Sequence, residues 1–582
     1  MKIPVAVIGI LNILFAALSV QASDNMKAYS PAAAGMIRHV LANPQPSGSL
    51  ILDSGGHNPG EPLSSPTNEA PSVIKEIAYK GKIYSLFDSP FFGIDWQTVD
   101  PDIFPKGSPG RDWVDQKAAR IDAQYAACKA AGIKVYAMGD LIVFPRALVQ
   151  KYKMEKTFTD PTHPLTDKFL RAMIGQMFDR FPNIDGIVLR IGEIYMQGAP
   201  FHRGGIANKK DAQKTIIPLM QLLREEVCVK RNKQLIFRSW MSFDTDLSTY
   251  MEISDAIEPH PNLIFAVKHC EADFHRGHQF SKVLGQGRHR QIVEVQCARE
   301  YEGKGAYPNY IANGVIEGFE EHRLQMPADR ILSIRQLAER KGELFAGIWT
   351  WSRGGGWGGP FIKNGLWCDL NAWVLAQWAK DPTQTEESIF NRYAAEQLKL
   401  KGEDITKFRR LCLLSADAVL RGKASTTGDM GAGWSRDDTI NRPSLPHDPQ
   451  KRKRALDQKG EAVRLWEQIA TLAREIQFSD PKTKDYVLIS SQYGLHLYRI
   501  YQAVCELQAL GPDGDKEQLR QWLLRYDNAW ADYRKLPEAS PQCASLYYEK
   551  GSSQAGGVPG IEKIIPPLRS AANASLLEQP RK

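Results

Sequence analysis

Gln291-Ile-Val-Glu-Val-Gln-Cys-Ala-Arg-Glu300-Tyr-Glu-Gly303 joins an apolar run to a polar end. The β-branched run is typical of a buried strand in a parallel sheet, and the acidic and aromatic residues follow where the run ends. Gly186–Glu193 and Leu263–Asp273 have the same design. Because the active sites of (β/α)₈ barrels lie at the C-terminal ends of the strands, three such segments predict a barrel that brings carboxylates to one face.

The sequence on both sides of this segment repeats the strand pattern. Short apolar runs alternate with amphipathic helical segments, which is typical of a parallel sheet covered by helices. Eight strands with intervening helices predict an α/β fold in the form of a closed (β/α)₈ TIM barrel. The eight candidates are Lys82–Phe87, Ile133–Met138, Gly186–Leu189, Leu235–Trp240, Leu263–Val267, Gln291–Val295, Gly314–Gly318 and Leu344–Trp351.

The first residues have the features of a secretory signal peptide. Met1-Lys2 is a basic start, residues 5–18 are apolar, and small residues precede Ser23. The apolar run is shorter than the ~20 residues that a membrane span requires. We therefore expect residues 1–22 to be cleaved, and the remaining protein to be periplasmic or secreted without a membrane span. The alternative is an uncleaved N-terminal anchor.

The rest of the chain divides into three predicted parts. Residues 23–75 are rich in Pro, Ser, Gly and Asn, and we expect an N-terminal extension that packs on the main domain. Residues 76–381 contain the strand candidates and are expected to form the catalytic barrel. Residues 382–582 show apolar side chains three and four apart, which predicts an α-helical C-terminal domain. A homodimer could form through this helical domain, or the domain could act as a lid.

The composition and motifs of the chain argue against a nucleic-acid-binding protein, a metal site, a phosphate-loop protein and a serine hydrolase. The net charge of +8 over 582 residues is mild, and no nucleic-acid-binding motif is present. The eight cysteines are scattered without a Cys-x-x-Cys pair, so we expect no metal site, although one or two long-range disulfides could form after export. The glycine-rich segment 354–360 lacks the Gly-Lys-Ser/Thr ending of a phosphate loop, and no Gly-x-Ser-x-Gly elbow occurs. We expect no cofactor.

The predicted strand ends supply carboxylates, cations and aromatic rings. Paired carboxyl groups perform the acid and base steps of glycoside hydrolysis, and indole rings stack on sugar faces. Arg238 and Lys268, if they converge, match the carboxylate of an acidic sugar. Alternatively, they pair with neighbouring carboxylates. The candidates at or near the strand ends are Arg190, Glu193, Arg238, Trp240, Lys268, Glu271, Asp273, Glu300, Tyr301, Glu320, Trp351 and Trp357.

Four of these segments resemble motifs of the family-67 α-glucuronidases, which remove glucuronic acid from xylan-derived oligosaccharides. The resemblance covers roughly residues 80–400. Its implications are that Glu193 is the general acid, that Asp273 and Glu300 activate water, and that Arg238 and Lys268 hold the uronate carboxylate. The matching segments are Val188-Leu-Arg190-Ile-Gly-Glu193, Phe237-Arg238-Ser-Trp240, Phe265-Ala-Val-Lys268 continuing to Asp273-Phe274, and Glu294-Val-Gln-Cys-Ala-Arg-Glu300-Tyr-Glu-Gly303.

The expected function is therefore removal of a terminal α-linked uronic acid from acidic oligosaccharides of plant or algal origin, with inversion. Three alternatives remain open. A retaining glycosidase could act on a neutral sugar with Glu300 as nucleophile, in which case Arg238 and Lys268 would pair internally. A polysaccharide lyase could abstract a proton with Tyr301 or a histidine. A non-catalytic protein could bind acidic glycans on the same scaffold.

Overall fold

Eight parallel strands close into a barrel in the computed structural model of the chain. The structure describes residues 49–55, 70–191, 193–196, 198–205, 214–239, 243–244, 246–300, 302–353, 360–430, 445–547 and 561–577, without the side chains of 272–273, 561–563 and 574–577. The strands are β1 Leu50–Asp53, β2 Gly81–Tyr84, β3 Lys134–Asp140, β4 Gly186–Arg190, β5 Gln234–Arg238, β6 Leu263–Lys268, β7 Arg290–Gln296 and β8 Phe345–Trp351.

Each strand pairs in parallel with its neighbours in chain order, and β1 pairs with both β2 and β8 to complete the ring. Side chains alternate between the inside and the outside of a barrel. One set of alternate residues forms a buried interior cluster that includes Leu52, Tyr136, Ile236, Ile264 and Ile292. The barrel is therefore a packed core, and its polar chemistry is restricted to the strand ends.

Helices cover the outside of the barrel between successive strands. The connection from β6 to β7 is an exception, because it holds only the single turn Glu271–Phe274. A short antiparallel ribbon pairs Val143–Pro145 with His202–Gly204 above β3 and β4. The other helices of this part are Pro71–Ile77, Pro109–Ala130, Arg146–Lys151, Pro164–Arg180, Ile216–Leu223 with a π-helical continuation to Val229, Leu247–Ala256, Ala312–Glu317, Glu320–Gln325, Ile334–Arg340 and Leu366–Lys380.

A helical region follows the barrel, as the sequence predicts. Its helices pack consecutively against one another, and Asp448, Asp480 and Asp515 each cap a helix N-terminus through a side-chain oxygen. The helices are Glu386–Glu396, Glu403–Lys423, Pro449–Glu475, Pro481–Leu510, Lys516–Arg534, Leu536–Ala539 and Ile561–Leu577. Within the described ranges, no helix is both long and apolar enough to cross a bilayer.

One predicted strand is wrong. Residues Gly314–Gly318 belong to the helix Ala312–Glu317 and its C-terminal cap. Asn371 fixes the start of this helix, because its Oδ1 accepts hydrogen bonds from the backbone N–H groups of Ile311 and Ala312, each at 3.0 Å. The missing strand is β1, which lies inside the segment 23–75 predicted as an extension. The barrel therefore begins at Leu50.

Candidate active site

Charged side chains occupy the inner face of the barrel at the C-terminal ends of five strands. Tyr136 and Met138 belong to the interior cluster. Asp140 lies an even number of residues after each of them on the same strand, so its side chain also faces the interior. The same parity directs Arg190, Arg238, Lys268 and Glu294 inward. All five are buried, with exposures of 5% or less. Because unpaired charges are very costly to bury, this layer requires internal compensation.

Arg190 and Asp140 compensate each other across neighbouring strands. They are direct partners in the register of β3 and β4, and the guanidinium donates from Nε to Oδ1 at 2.7 Å and from Nη2 to Oδ2 at 3.1 Å. The backbone N–H of Tyr195 donates to the same carboxylate at 2.8 Å. Asp140 thereby fixes both Arg190 and the start of the loop that carries Glu193.

Glu193 is a partly exposed carboxyl group beyond the end of β4, with 33% of its side chain accessible. The phenol of Tyr195 donates to its Oε2 at 2.6 Å, and Arg190 Nη1 lies 3.6 Å from the same oxygen. The Arg190 guanidinium also lies over the Tyr195 ring, 4.8 Å from the centroid. Glu193 is thus an accessible carboxyl group that these two contacts hold in a fixed orientation.

Arg238 and Glu294 form a second buried pair that the sequence analysis did not identify. Nε and Nη2 of Arg238 donate to the two carboxylate oxygens of Glu294 at 2.8 Å and 2.7 Å. The indole Nε1 of Trp351 donates to Glu294 Oε2 at 3.2 Å. The guanidinium lies 5.1 Å from the ring centroids of both Trp349 and Trp351. Two donors of Arg238 are therefore committed to Glu294.

Lys268 lies beside Glu294 on the adjacent strand and is its partner in the register of β6 and β7. Its ammonium group is 5.2 Å from the centroid of the Phe274 ring. The backbone turn Glu271–Phe274 follows directly and carries Asp273, whose side chain is not among those described. The turn brings the backbone of Asp273 to the same end of the barrel as Lys268.

Glu300 is held by Gln296, the last residue of β7. The amide Nε2 of Gln296 donates to Glu300 Oε2 at 3.0 Å, and its Oε1 accepts the backbone N–H of Glu300 at 2.8 Å. A reciprocal pair of this kind fixes both the backbone and the carboxylate. Glu300 is half-buried and therefore retains access to solvent.

One of the predicted aromatic residues lies within the described part of the chain. Trp351 is half-buried at the end of β8 and contacts Glu294. Three predicted residues lie outside the described part of the chain: Trp240, Tyr301 and Trp357.

Neither His269 nor Asp53 extends this site. Burial lowers the pKa of His269 to about 3, so its ring is neutral, and Nδ1 lies 3.3 Å from the carbonyl oxygen of Glu294. Burial raises the pKa of Asp53 to about 6, but Asp53 is adjacent to the inward-facing Leu52 and points to the outer side, where it accepts hydrogen bonds from Thr350 and Ser352. In the described ranges, no cluster of metal-binding side chains occurs.

The site residues that the sequence analysis missed are Asp140, Glu294, Gln296 and Tyr195. A signal for two of them is present in the sequence. Asp140 and Glu294 are charged residues in otherwise apolar strand segments, at positions with the parity of the barrel interior. A buried charge at such a position predicts an ionic partner.

Comparisons with known proteins identify the fold class. No protein-family model and no curated protein sequence matches the chain at a significant level. A solved structure of a GH138 enzyme that targets pectin rhamnogalacturonan II is similar, with a TM-score of 0.52, 12% sequence identity, and coverage of 92% of this chain and 68% of that chain. At this identity the similarity establishes the barrel fold.

Two further solved structures show weaker similarity. CpGH84B has a TM-score of 0.40 and 9% identity, with 90% of this chain and 77% of that chain covered. A variant of the O-GlcNAc hydrolase of Thermobaculum terrenum has a TM-score of 0.39 and 8% identity, with 91% and 95% covered.

Proposed function

We propose that this chain is an exo-acting glycoside hydrolase. The observation that carries the proposal is Glu193, an accessible carboxyl group at the rim of a layer of buried, paired charges. A glycosidase requires one carboxyl group to protonate the leaving oxygen and a second to act as base or nucleophile. Glu193 is the proposed acid, and Glu300 or Asp273 is the proposed second carboxylate. The similarity of the fold to that of an enzyme acting on pectin is compatible with this assignment.

The substrate that we propose is a terminal α-linked uronic acid. Support comes from the three cations Arg190, Arg238 and Lys268, which end three successive strands of the barrel. Two donors of Arg238 serve Glu294, and the ammonium group of Lys268 can donate up to three hydrogen bonds in several directions, so we assign the principal contact with the uronate carboxylate to Lys268. Arg238 then orients Glu294, and the neighbouring indole of Trp351 faces the sugar.

Catalysis in the proposed enzyme is a single displacement. Glu193 protonates the glycosidic oxygen while Glu300 or Asp273 removes a proton from the attacking water. Hydrogen bonds from Tyr195 to Glu193 and from Gln296 to Glu300 keep both carboxyl groups oriented before the substrate binds. Such preorganisation avoids an entropic cost in the transition state.

A neutral terminal sugar is the second candidate substrate, with Glu300 as the nucleophile of a retaining mechanism. The bidentate pair of Arg238 and Glu294 favours this alternative, because internal pairing of the cations is what a neutral substrate requires. In a neutral-sugar site, the paired guanidinium and carboxylate would bind sugar hydroxyl groups.

Matched glycosides distinguish the two substrates. The wild-type protein is assayed with α-glucuronides against α-glucosides, and with α-galacturonides against α-galactosides, on the same leaving group. The proposal predicts a kcat/KM at least about 10²-fold higher for the uronides. A neutral sugar lacks the carboxylate, and losing one buried contact between charged groups costs about this factor. Equal values, or a preference for neutral sugars, would refute the uronate assignment. The anomer released first, observed by ¹H NMR, separates inversion from retention.

A further inference from the structure

Two loops at the mouth of the barrel are tied together by one buried side chain, Arg299. This residue immediately precedes Glu300 in the loop after β7. Its Nη2 donates to the carbonyl oxygen of Phe274 at 2.8 Å, and Phe274 immediately follows Asp273 in the loop after β6. Arg299 is 3% exposed. A single guanidinium therefore connects the backbones that carry the two proposed base-side carboxylates.

Glu302 holds this guanidinium in place. Nε and Nη2 of Arg299 donate to Glu302 Oε2 at 2.8 Å and 2.6 Å, and Asn309 Nδ2 donates to the same oxygen at 2.7 Å. His275 Nδ1 lies 3.5 Å from the other oxygen. Burial alone would raise the pKa of Glu302, but Arg299 and His275 hold that pKa below its usual range. The carboxylate is thus ionised and committed to the clamp.

The backbone at both ends of this connection adopts a conformation that requires external support. Arg299 has φ +49° and Phe274 has φ +72°. Residues with a Cβ rarely adopt this left-handed region unless surrounding contacts hold them there. The hydrogen bond from Arg299 to Phe274 joins the two strained residues directly.

Two helices secure the other end of the loop after β7. Tyr486, in the helical region, donates from its phenol to the carbonyl oxygen of Gly305 at 2.6 Å. Asn371, on the last barrel helix Leu366–Lys380, donates from Nδ2 to the carbonyl oxygen of Asn309 at 3.0 Å. Residues 302–312 are all buried. The loop is therefore anchored at one end by β7 and at the other by helices.

From these contacts we infer that Arg299 is a positioning residue: with Glu302 it clamps the loop of Glu300 to the loop of Asp273 and sets the relative position of the two backbone segments that carry these residues. This inference rests on the proposed glycosidase function. It assigns no contact with substrate to Arg299. It also makes the helical region part of the support of the site, because that region holds the loop in which Glu302 and Asn309 lie.

The test compares Arg299→Lys with a matched control. Lysine keeps the charge but loses the planar fork, so it cannot serve Glu302 and Phe274 together. Arg276→Lys is the control. Arg276 is also a buried arginine in the loop after β6 and also forms a bidentate pair, but its partners are Glu321 and Asp417 and not the loop after β7. Glu302→Gln keeps the shape of the acceptor and provides a second variant if Arg299→Lys does not fold.

Hydrogen exchange measured on the whole protein tests the clamp without an activity assay. Arg299→Lys should speed exchange in residues 270–280 and in residues 297–311 together, by about tenfold or more. Arg276→Lys should affect 270–280 without affecting 297–311. If Arg299→Lys speeds exchange in 297–311 alone, the connection between the loops is refuted, whatever the protein catalyses.

Kinetics on a glycoside that the wild type hydrolyses test the positioning role. Arg299→Lys should lower kcat by about 10²-fold with little change in KM, the effect of misplacing a catalytic group by about 1 Å. Glu302→Gln should act in the same direction, and Arg276→Lys should retain most of the wild-type kcat. An unchanged kcat in Arg299→Lys, with both loops loosened, would overturn the positioning role and leave the proposed function intact. If the wild type hydrolyses no glycoside, the proposed function and the positioning role both fail, and joint loosening of the loops would then establish only the clamp.

Discussion

Replacing either member of the Arg238–Glu294 pair should destabilise the protein strongly, because the partner is left charged and fully buried. Glu294 accepts two hydrogen bonds from Arg238 and one from Trp351. Removing one partner of a buried ion pair costs about 3–5 kcal/mol. The compact unit Leu50–Lys582 has an unfolding entropy of roughly 1.1 kcal/mol/K at about 2.1 cal/mol/K per residue. Each single variant, Arg238→Met or Glu294→Met, should therefore melt about 3–5 °C below the wild type.

Scanning calorimetry at one fixed scan rate measures these shifts, and the double variant provides the control. Arg238→Met combined with Glu294→Met removes both charges and fills the space with apolar groups, which is often neutral in free energy. The double variant should melt within about 1 °C of the wild type, so the two effects are not additive. Single variants that melt with the wild type, or a double variant that loses the sum of both shifts, would refute the pairing.

Three further predictions concern pH, barrel closure and the thiols. Burial raises the pKa of Asp53 in the folded protein from 3.8 to about 6, which is above its value in the unfolded chain. The contribution of this group to the free energy of unfolding is therefore fully present below pH 3.8. It falls by about 3 kcal/mol as the pH rises to about 6. Asp53→Asn should lose that slope, and parallel melting curves against pH for the variant and the wild type would contradict it. Gly347→Ala should lower the free energy of unfolding by more than about 4 kcal/mol or prevent folding, because the added Cβ would lie 1.9 Å from the carbonyl oxygen of Leu50. Gly107→Ala is the control: no atom lies within 4 Å of its added Cβ, so it should cost only about 1–2 kcal/mol. Equal melting temperatures for the two variants would contradict this difference. All eight cysteines are free and buried. A thiol reagent should therefore react with no cysteine in the native protein and with all eight cysteines after denaturation without reductant. Reaction with fewer than eight cysteines after denaturation would indicate a disulfide.

Most of the barrel can be predicted from the sequence because its strands are continuous apolar runs. The exception is β1, which has only four residues and lies in a segment rich in turn-forming residues. Its pairing with β8 depends on Gly347, where a side chain would clash with the backbone of Leu50. The run Gly314–Gly318 is similarly short, and periodicity cannot distinguish a strand from a buried helix at that length.

The positions of the site residues are more predictable than their partners. Arg190, Arg238 and Lys268 lie at strand ends, as the apolar runs before them indicate. Their partners depend on the register between strands, because Arg190 pairs with Asp140 across 50 residues and Arg238 pairs with Glu294 across 56. A pattern within one strand contains no information on such a distant partner. The sequence therefore leaves open whether Arg238 binds a substrate carboxylate or pairs with a neighbouring one, and it does not identify Glu294 as the partner.

Hydrolysis of two substrates by Glu193→Gln tests the central proposal most directly. One substrate is a natural oligosaccharide, whose leaving group needs a proton, and the other is a dinitrophenyl glycoside of the same sugar, whose leaving group does not. Glu258→Gln, with a 72% exposed side chain, is the control. If Glu193 is the general acid, Glu193→Gln should lose about 10²–10⁴-fold in kcat on the oligosaccharide and little on the dinitrophenyl glycoside. An equal loss on both substrates, or no loss on either, would contradict the assignment of Glu193 as the acid.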